Sequence, residues 1–100
     1  MASGYKVFWT QNAITELTGI IAYLEVNWTE REIRNFFGSL DHTIELISKN
    51  PELFQLSKNK KDIRRAVIAK YTSLYYLTKS DSVEILSLFS NRQSPDKIKL

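Results

Sequence analysis

The apolar residues of this chain change period once, and that change limits the folds open to it. From Ala13 to Ile47 they recur at helical spacing, and from Ile63 onward they run in short strand-like blocks. Ala13, Leu17, Ile20 and Leu24 form one stripe, widened by Ile14 and Ile21. Thr10 stands where a helix cap belongs, and the stripe predicts a helix that ends near Val26 or Asn27. Thr29-Glu30-Arg31-Glu32 is a capping box: the threonine hydroxyl meets the third helical amide while Glu32 reaches back. It opens a second helix with Ile33, Phe36, Phe37, Leu40, Ile44 and Ile47 on its apolar face, and Asn50-Pro51 stops it. Two helices joined by so short a link form an antiparallel hairpin.

The run Tyr5 to Trp9 is short, aromatic and β-branched, and reads as a strand. Ile63 to Tyr71, Ser73 to Thr78 and Val83 to Phe89 read as three more, with connections short enough to force antiparallel neighbours. Apolar residues on both faces of these strands predict that part of the second face is covered too. The expected fold is α+β: an N-terminal strand, a two-helix hairpin, then a three-stranded antiparallel sheet with the helices on one side. Its 100 residues make a single domain, 1–100, in which Met1 to Gly4 read as a disordered stretch or a cloning remnant.

Composition closes several functional classes. The chain has no cysteine and one histidine, His42, so disulfides, thiolate chemistry and a histidine- or cysteine-built metal site are excluded. No metal and no cofactor is expected. No apolar run approaches the ~20 residues of a membrane span, and the N-terminus lacks the pattern of a secretory signal. A cytoplasmic protein with no membrane partner is the expectation. Charge is uneven: residues 1–50 carry four basic and six acidic side chains, residues 51–100 ten and five. A basic second half suits an anionic partner, either nucleic acid or an acidic protein segment.

Four pieces of sequence, in order, resemble the RelE/ParE superfamily of bacterial toxins from type II toxin–antitoxin systems, also called plasmid-stabilisation proteins. They are Thr10-x-x-Ala13 with Leu17, Ile20 and Tyr23; the Phe36-Phe37 pair with Ile47-x-x-Asn50-Pro51; Ile63-Arg64-Arg65-Ala66-Val67-Ile68 leading to Tyr75-Tyr76; and Phe89-Ser-Asn-Arg92-Gln93-Ser-Pro95. The resemblance runs from Tyr5 to about Leu100. It implies a growth-inhibiting toxin neutralised by a cognate antitoxin, which alone touches operator DNA. One branch of the superfamily poisons DNA gyrase, and the other cuts mRNA on the ribosome.

The residues bear on that division. Cleavage through a ribose 2′-hydroxyl needs a base, an acid and cations around the phosphate. The mRNA-cutting relatives add a C-terminal tyrosine or histidine, whereas here Arg92 is followed by neither. Arg65, Arg92 and Tyr75 are the candidate catalytic residues of a nuclease, with Tyr71 and Tyr76 as substitutes. Lys60, Lys61, Arg64, Arg65 and Arg92 are the candidate contacts to target or antitoxin. The incomplete acid–base set favours a gyrase-directed toxin over a ribosome-dependent endoribonuclease, or over a non-toxic member that only binds its antitoxin. Alternation puts Arg64 and Arg65 on opposite faces of their strand. Lys58 to Lys61 read equally as a solvated loop, His42 as an exposed histidine, Trp9 and Tyr75-Tyr76 as packing residues, and Trp28 as the hairpin's anchor.

Overall fold

The computed structural model describes residues 4–58, 62–69 and 72–90. Its elements are β1 (Lys6–Trp9), α1 (Gln11–Asn27), α2 (Glu30–Lys49), β2 (Gln55–Leu56), β3 (Ile63–Ala69), β4 (Thr72–Thr78) and β5 (Ser82–Ser90). Both predicted caps form. The Thr10 hydroxyl accepts from the Ala13 amide at 3.1 Å, and Thr29 and Glu32 close the capping box in both directions. α1 ends at Asn27 and α2 at Lys49, just before Asn50-Pro51.

The strands form one five-stranded sheet in the order β1-β5-β4-β3-β2. The three strands expected as antiparallel neighbours, β3, β4 and β5, pair that way. Two strands enlarge the sheet beyond them. β1 lies parallel to β5, from Lys6↔Ser82 to Trp9↔Ile85, and β2 adds two residues to the far edge, Gln55↔Arg65 and Leu56↔Arg64. A parallel pairing between chain ends leaves no local turn signal, and a two-residue strand has no periodicity to read.

The core lies between the hairpin and one face of the sheet. Ala13, Leu24, Phe36, Leu40 and Ile47 pack on Ala66, Ile68, Leu74, Tyr76, Val83, Ile85 and Leu88. Each such large side chain contributes ~1.5–3 kcal/mol by leaving water. Two expected core residues sit at the surface instead: Ile14 is 44% exposed, and Phe37 stands edge-on to Phe36 with ring centroids 5.8 Å apart. Both flank a stripe that Ala13 and Phe36 already fill. Trp28, half-buried against the core, anchors the helix link. On the other face of the sheet Ser73, Tyr75 and Phe89 are buried, so the second face is partly covered, as its apolar residues required.

Gly4 belongs to the packed structure. A Cβ there would stand 2.5 Å from the Ser48 hydroxyl oxygen, and next to it Tyr5 exchanges two hydrogen bonds with Ser48. The chain entry is thereby tied to the last turn of α2.

β5 outruns β1, and α1 closes the difference. Leu86 has no partner in β4, where the register shifts between Tyr75 and Tyr76. Its carbonyl accepts from Asn12 Nδ2 at 3.0 Å. Glu16 Oε1 then accepts from the Ser87 hydroxyl at 2.7 Å, the Leu88 amide at 3.2 Å and Asn12 at 3.1 Å. Glu16→Ala strands a buried hydroxyl and a backbone amide, so it is expected to cost ~1–3 kcal/mol in urea unfolding, with Glu16→Gln recovering part.

Candidate functional site

β3 carries the two arginines singled out by sequence, and its pleat separates them. Arg64 is paired with Tyr76 and Arg65 with Tyr75, so they lie on opposite faces. The Arg64 guanidinium is committed to the chain's own backbone. Its Nη1 donates to the Phe54 carbonyl at 2.7 Å and reaches the Glu52 carbonyl at 3.5 Å. Beside it the buried Tyr76 hydroxyl donates to the Pro51 carbonyl, and the Tyr76 ring meets Phe54 edge-to-face, with centroids 6.5 Å apart. These contacts hold residues 51–54 against the sheet. Burial pushes the Tyr76 phenol up to about 12, although the Arg64 charge and the Phe54 backbone act in the other direction. Tyr76 is a buried, neutral hydrogen-bond donor whose hydroxyl is spent on the Pro51 carbonyl.

Arg65 faces away from the core and is exposed. Its Nε donates at 3.0 Å to the hydroxyl of Ser73, which is fully buried. That single bond fixes the plane of the guanidinium. Arg65 borders an open groove of about 610 Å³ between β3 and the segment Leu53–Lys58. Leu53, Leu56 and Val67 give the groove an apolar rim and are 53, 56 and 51% exposed. The buried Tyr75 lines it as well, and Lys58 adds a second cation. Among the described residues the lining contains no carboxylate and no histidine.

The structure thus brings together Arg65 and Tyr75 from the sequence-selected set and separates Arg64 from them. Lys60, Lys61, Tyr71 and Arg92 lie outside the described residues. His42 is exposed on α2 and Trp9 packs against the core. Leu53, Leu56, Val67 and Ser73 were missed by sequence reasoning. The signal for the first two was present, since apolar residues after a helix-stopping proline have no helix face to fill. Ser73 carries no comparable sequence mark. Among the described residues no group of three acidic or histidine side chains is placed to hold a metal ion, and no helix is long and apolar enough to cross a membrane.

Residues 7–95 match the family model of the ParE toxin of type II toxin–antitoxin systems. Comparison with curated protein sequences gives no match. Among solved structures, a chain of the chromosomal ParDE system from P. aeruginosa is similar over 89% of this chain and 98% of its own, with TM-score 0.73 and 12% identity. The E. coli DinJ-YafQ toxin–antitoxin complex contains a chain similar over 89% and 94%, with TM-score 0.61 and 9% identity. The YoeB dimer from Staphylococcus aureus is similar over 85% and 94%, with TM-score 0.57 and 14% identity. At such identities these structures establish a shared fold.

Proposed function

The chain belongs to the ParE toxin family of type II toxin–antitoxin systems, and on that premise we propose that it inhibits DNA gyrase by protein–protein contact. In this reading a cognate antitoxin holds it inactive. The observation that carries the proposal is the make-up of the groove. Three exposed apolar side chains and two cations, Arg65 and Lys58, line it, with no carboxylate or histidine among the described lining residues. A strand-cleaving site needs a proton acceptor and a proton donor within reach of the reacting oxygen. The two tyrosines next to the arginines are poorly suited to it: Tyr75 is buried, and Tyr76 lies in the core with its hydroxyl spent on the Pro51 carbonyl. Apolar anchors beside a fixed arginine are instead what a protein interface uses.

Arg65 and Lys58 are the contacts we assign to this surface. Lys60, Lys61 and Arg92 join them on sequence grounds alone. Arg64 acts at one remove, by holding the wall of the groove. A gyrase target places the toxin in the cytoplasm, and operator DNA is reached only through the antitoxin.

Inducing the chain alone in a bacterial host, with pulse-labelling of DNA and protein synthesis, tests the reading. DNA synthesis should fall within the first minutes, together with a DNA-damage response. An earlier fall in protein synthesis would instead identify a ribosome-directed nuclease. Unimpaired growth would identify a member that only binds its antitoxin.

A further inference from the structure

The edge strand β1, at the far side of the sheet from the groove, leaves main-chain groups unpaired. Its even-numbered residues turn to β5: the Lys6 amide donates to the Asp81 carbonyl at 3.2 Å and the Thr10 amide to the Ile85 carbonyl at 3.1 Å. The main-chain groups of Tyr5, Val7 and Trp9 therefore turn the other way, toward the free edge. At Tyr5 that edge is closed. The Tyr5 amide donates to the Ser48 carbonyl at 2.7 Å, and its carbonyl accepts from the Ser48 hydroxyl at 2.8 Å. Beyond Tyr5, no strand of the described residues pairs with Val7 or Trp9 on that side. Thr10 then caps α1, so the opening is Val7-Phe8-Trp9. Val7 and Trp9 pack their side chains on the core, which leaves Phe8 on the opposite face of the sheet, 53% exposed.

We propose that this edge binds a second copy of the chain, with the two β1 strands antiparallel about a two-fold axis through Phe8. In that register Val7 of each copy exchanges both main-chain hydrogen bonds with Trp9 of the other, and the two Phe8 rings stand directly opposite in a close cross-strand pair. Every open group finds a partner. The same register sets Tyr5 opposite Gln11 of the other copy, the first residue of α1. Each chain thus leaves the sheet where Ser48 of the other closes the edge. A longer incoming strand would run into that closure, so the opening fits a second β1 better than an extended partner segment. A surface on a two-fold axis must also complement itself, and an uncharged aromatic at the centre does so.

Simple protection of the edge would look different. Edge strands are guarded by brevity, charge, proline or a bulge. β1 is short and has Lys6 at one end, yet the centre of its opening carries a large exposed aromatic. The inference is independent of the groove's role and of gyrase. β1 and β2 are opposite edges, so the pairing makes one continuous sheet and leaves both grooves uncovered. With strands ~4.8 Å apart, the two β3 strands would lie about 34 Å from each other along that sheet.

So short an edge buries less than the ~1,200 Å² of a stable interface, and a Kd on the order of 0.1 mM is expected. Sedimentation equilibrium of the intact chain from about 10 μM to about 1 mM should show monomer passing to dimer. At the upper concentration, amide exchange at Val7 and Trp9 should slow by about threefold or more, while the Phe8 amide, turned to β5, should not change. Phe8→Lys sets like charges opposite each other across the axis, yet each lysine stands beside Glu84 of its own copy. That variant should fold and raise the Kd by about tenfold or more. The chain has no cysteine, so Phe8→Cys reads the register directly. Mild oxidation should link it into dimers, because the paired Cα atoms would be ~4.5 Å apart. Lys6→Cys should stay unlinked, with its two copies ~14 Å apart. A chain that is monomeric at the upper concentration, a dimer that Phe8→Lys leaves intact, or unchanged exchange at Val7 and Trp9 would each overturn the proposal. Protection of those two amides only in complex with the antitoxin would overturn it too, by giving the edge to that partner.

Discussion

The wild-type chain is expected to lose about 2–3 kcal/mol of stability between pH 10 and pH 12 that the Tyr76→Phe variant does not lose. The Tyr76 phenol has its folded-state pKa raised from 10.0 to about 12, chiefly by burial. Below pH 10 the folded and unfolded chains both keep the proton. Between 10 and 12 the unfolded chain releases it while the folded chain retains it, so the unfolded state gains and stability falls as pH rises. Above 12 both states are ionised and the loss is complete. Phenylalanine has no proton to hold, so this component vanishes. At pH 7 the same variant is expected to be ~1–2 kcal/mol less stable, because the buried Pro51 carbonyl loses its donor. Urea unfolding of both proteins at several pH values from 7 to 11.5 reads the two effects separately. Parallel alkaline losses in the two proteins would place the responsible group elsewhere.

The adjacent arginines should respond differently. Arg64→Ala removes the donor that holds the Phe54 and Glu52 carbonyls and is expected to cost ~1–3 kcal/mol, as loss of charged hydrogen bonds does. Toxicity per folded molecule should fall far less than in Arg65→Glu, because the Tyr76 contacts to Pro51 and Phe54 still hold the groove wall. Arg65→Glu touches an exposed side chain but takes away the donor to the buried Ser73 hydroxyl, so it is expected to cost ~1–2 kcal/mol and leave the chain folded. Reversing its charge in the groove lining should reduce inhibition by about 100-fold or more, the scale of losing an interface charge and gaining a repulsive one. Thermal melts and growth under induction check the pair. Equal effects of the two changes on growth would mean that the groove wall, and not the Arg65 charge, makes the contact.

Much of this was legible before any coordinates. The helices were readable because caps and stops are local: Thr10, Thr29 with Glu32, and Asn50-Pro51 each act within four residues. The opposite facing of Arg64 and Arg65 followed from the strand pleat alone. Three features were not legible, and each depends on contacts distant in sequence. β1 joins β5 across more than 70 residues, so its place in the sheet has no local cue. Arg64 is occupied by the Phe54 carbonyl, a partner no composition rule reveals, and its positive charge therefore read as a ligand contact. Ser73 gained its role only when the β3–β4 register brought it within reach of Arg65. Glu16 is a further case: no local pattern marks it, and it closes the open end of β5 through partners more than 70 residues away.

The most direct measurement is supercoiling of relaxed plasmid by purified gyrase in the presence of the wild-type chain, Arg64→Ala and Arg65→Glu, each checked for folding at the assay temperature. The expected result is inhibition at about micromolar concentration or below by the wild type and by folded Arg64→Ala, with Arg65→Glu inactive across the same range. Undisturbed supercoiling by the folded wild-type chain would contradict gyrase as the target. Inhibition that Arg65→Glu retains in full would contradict the groove as the surface that delivers it.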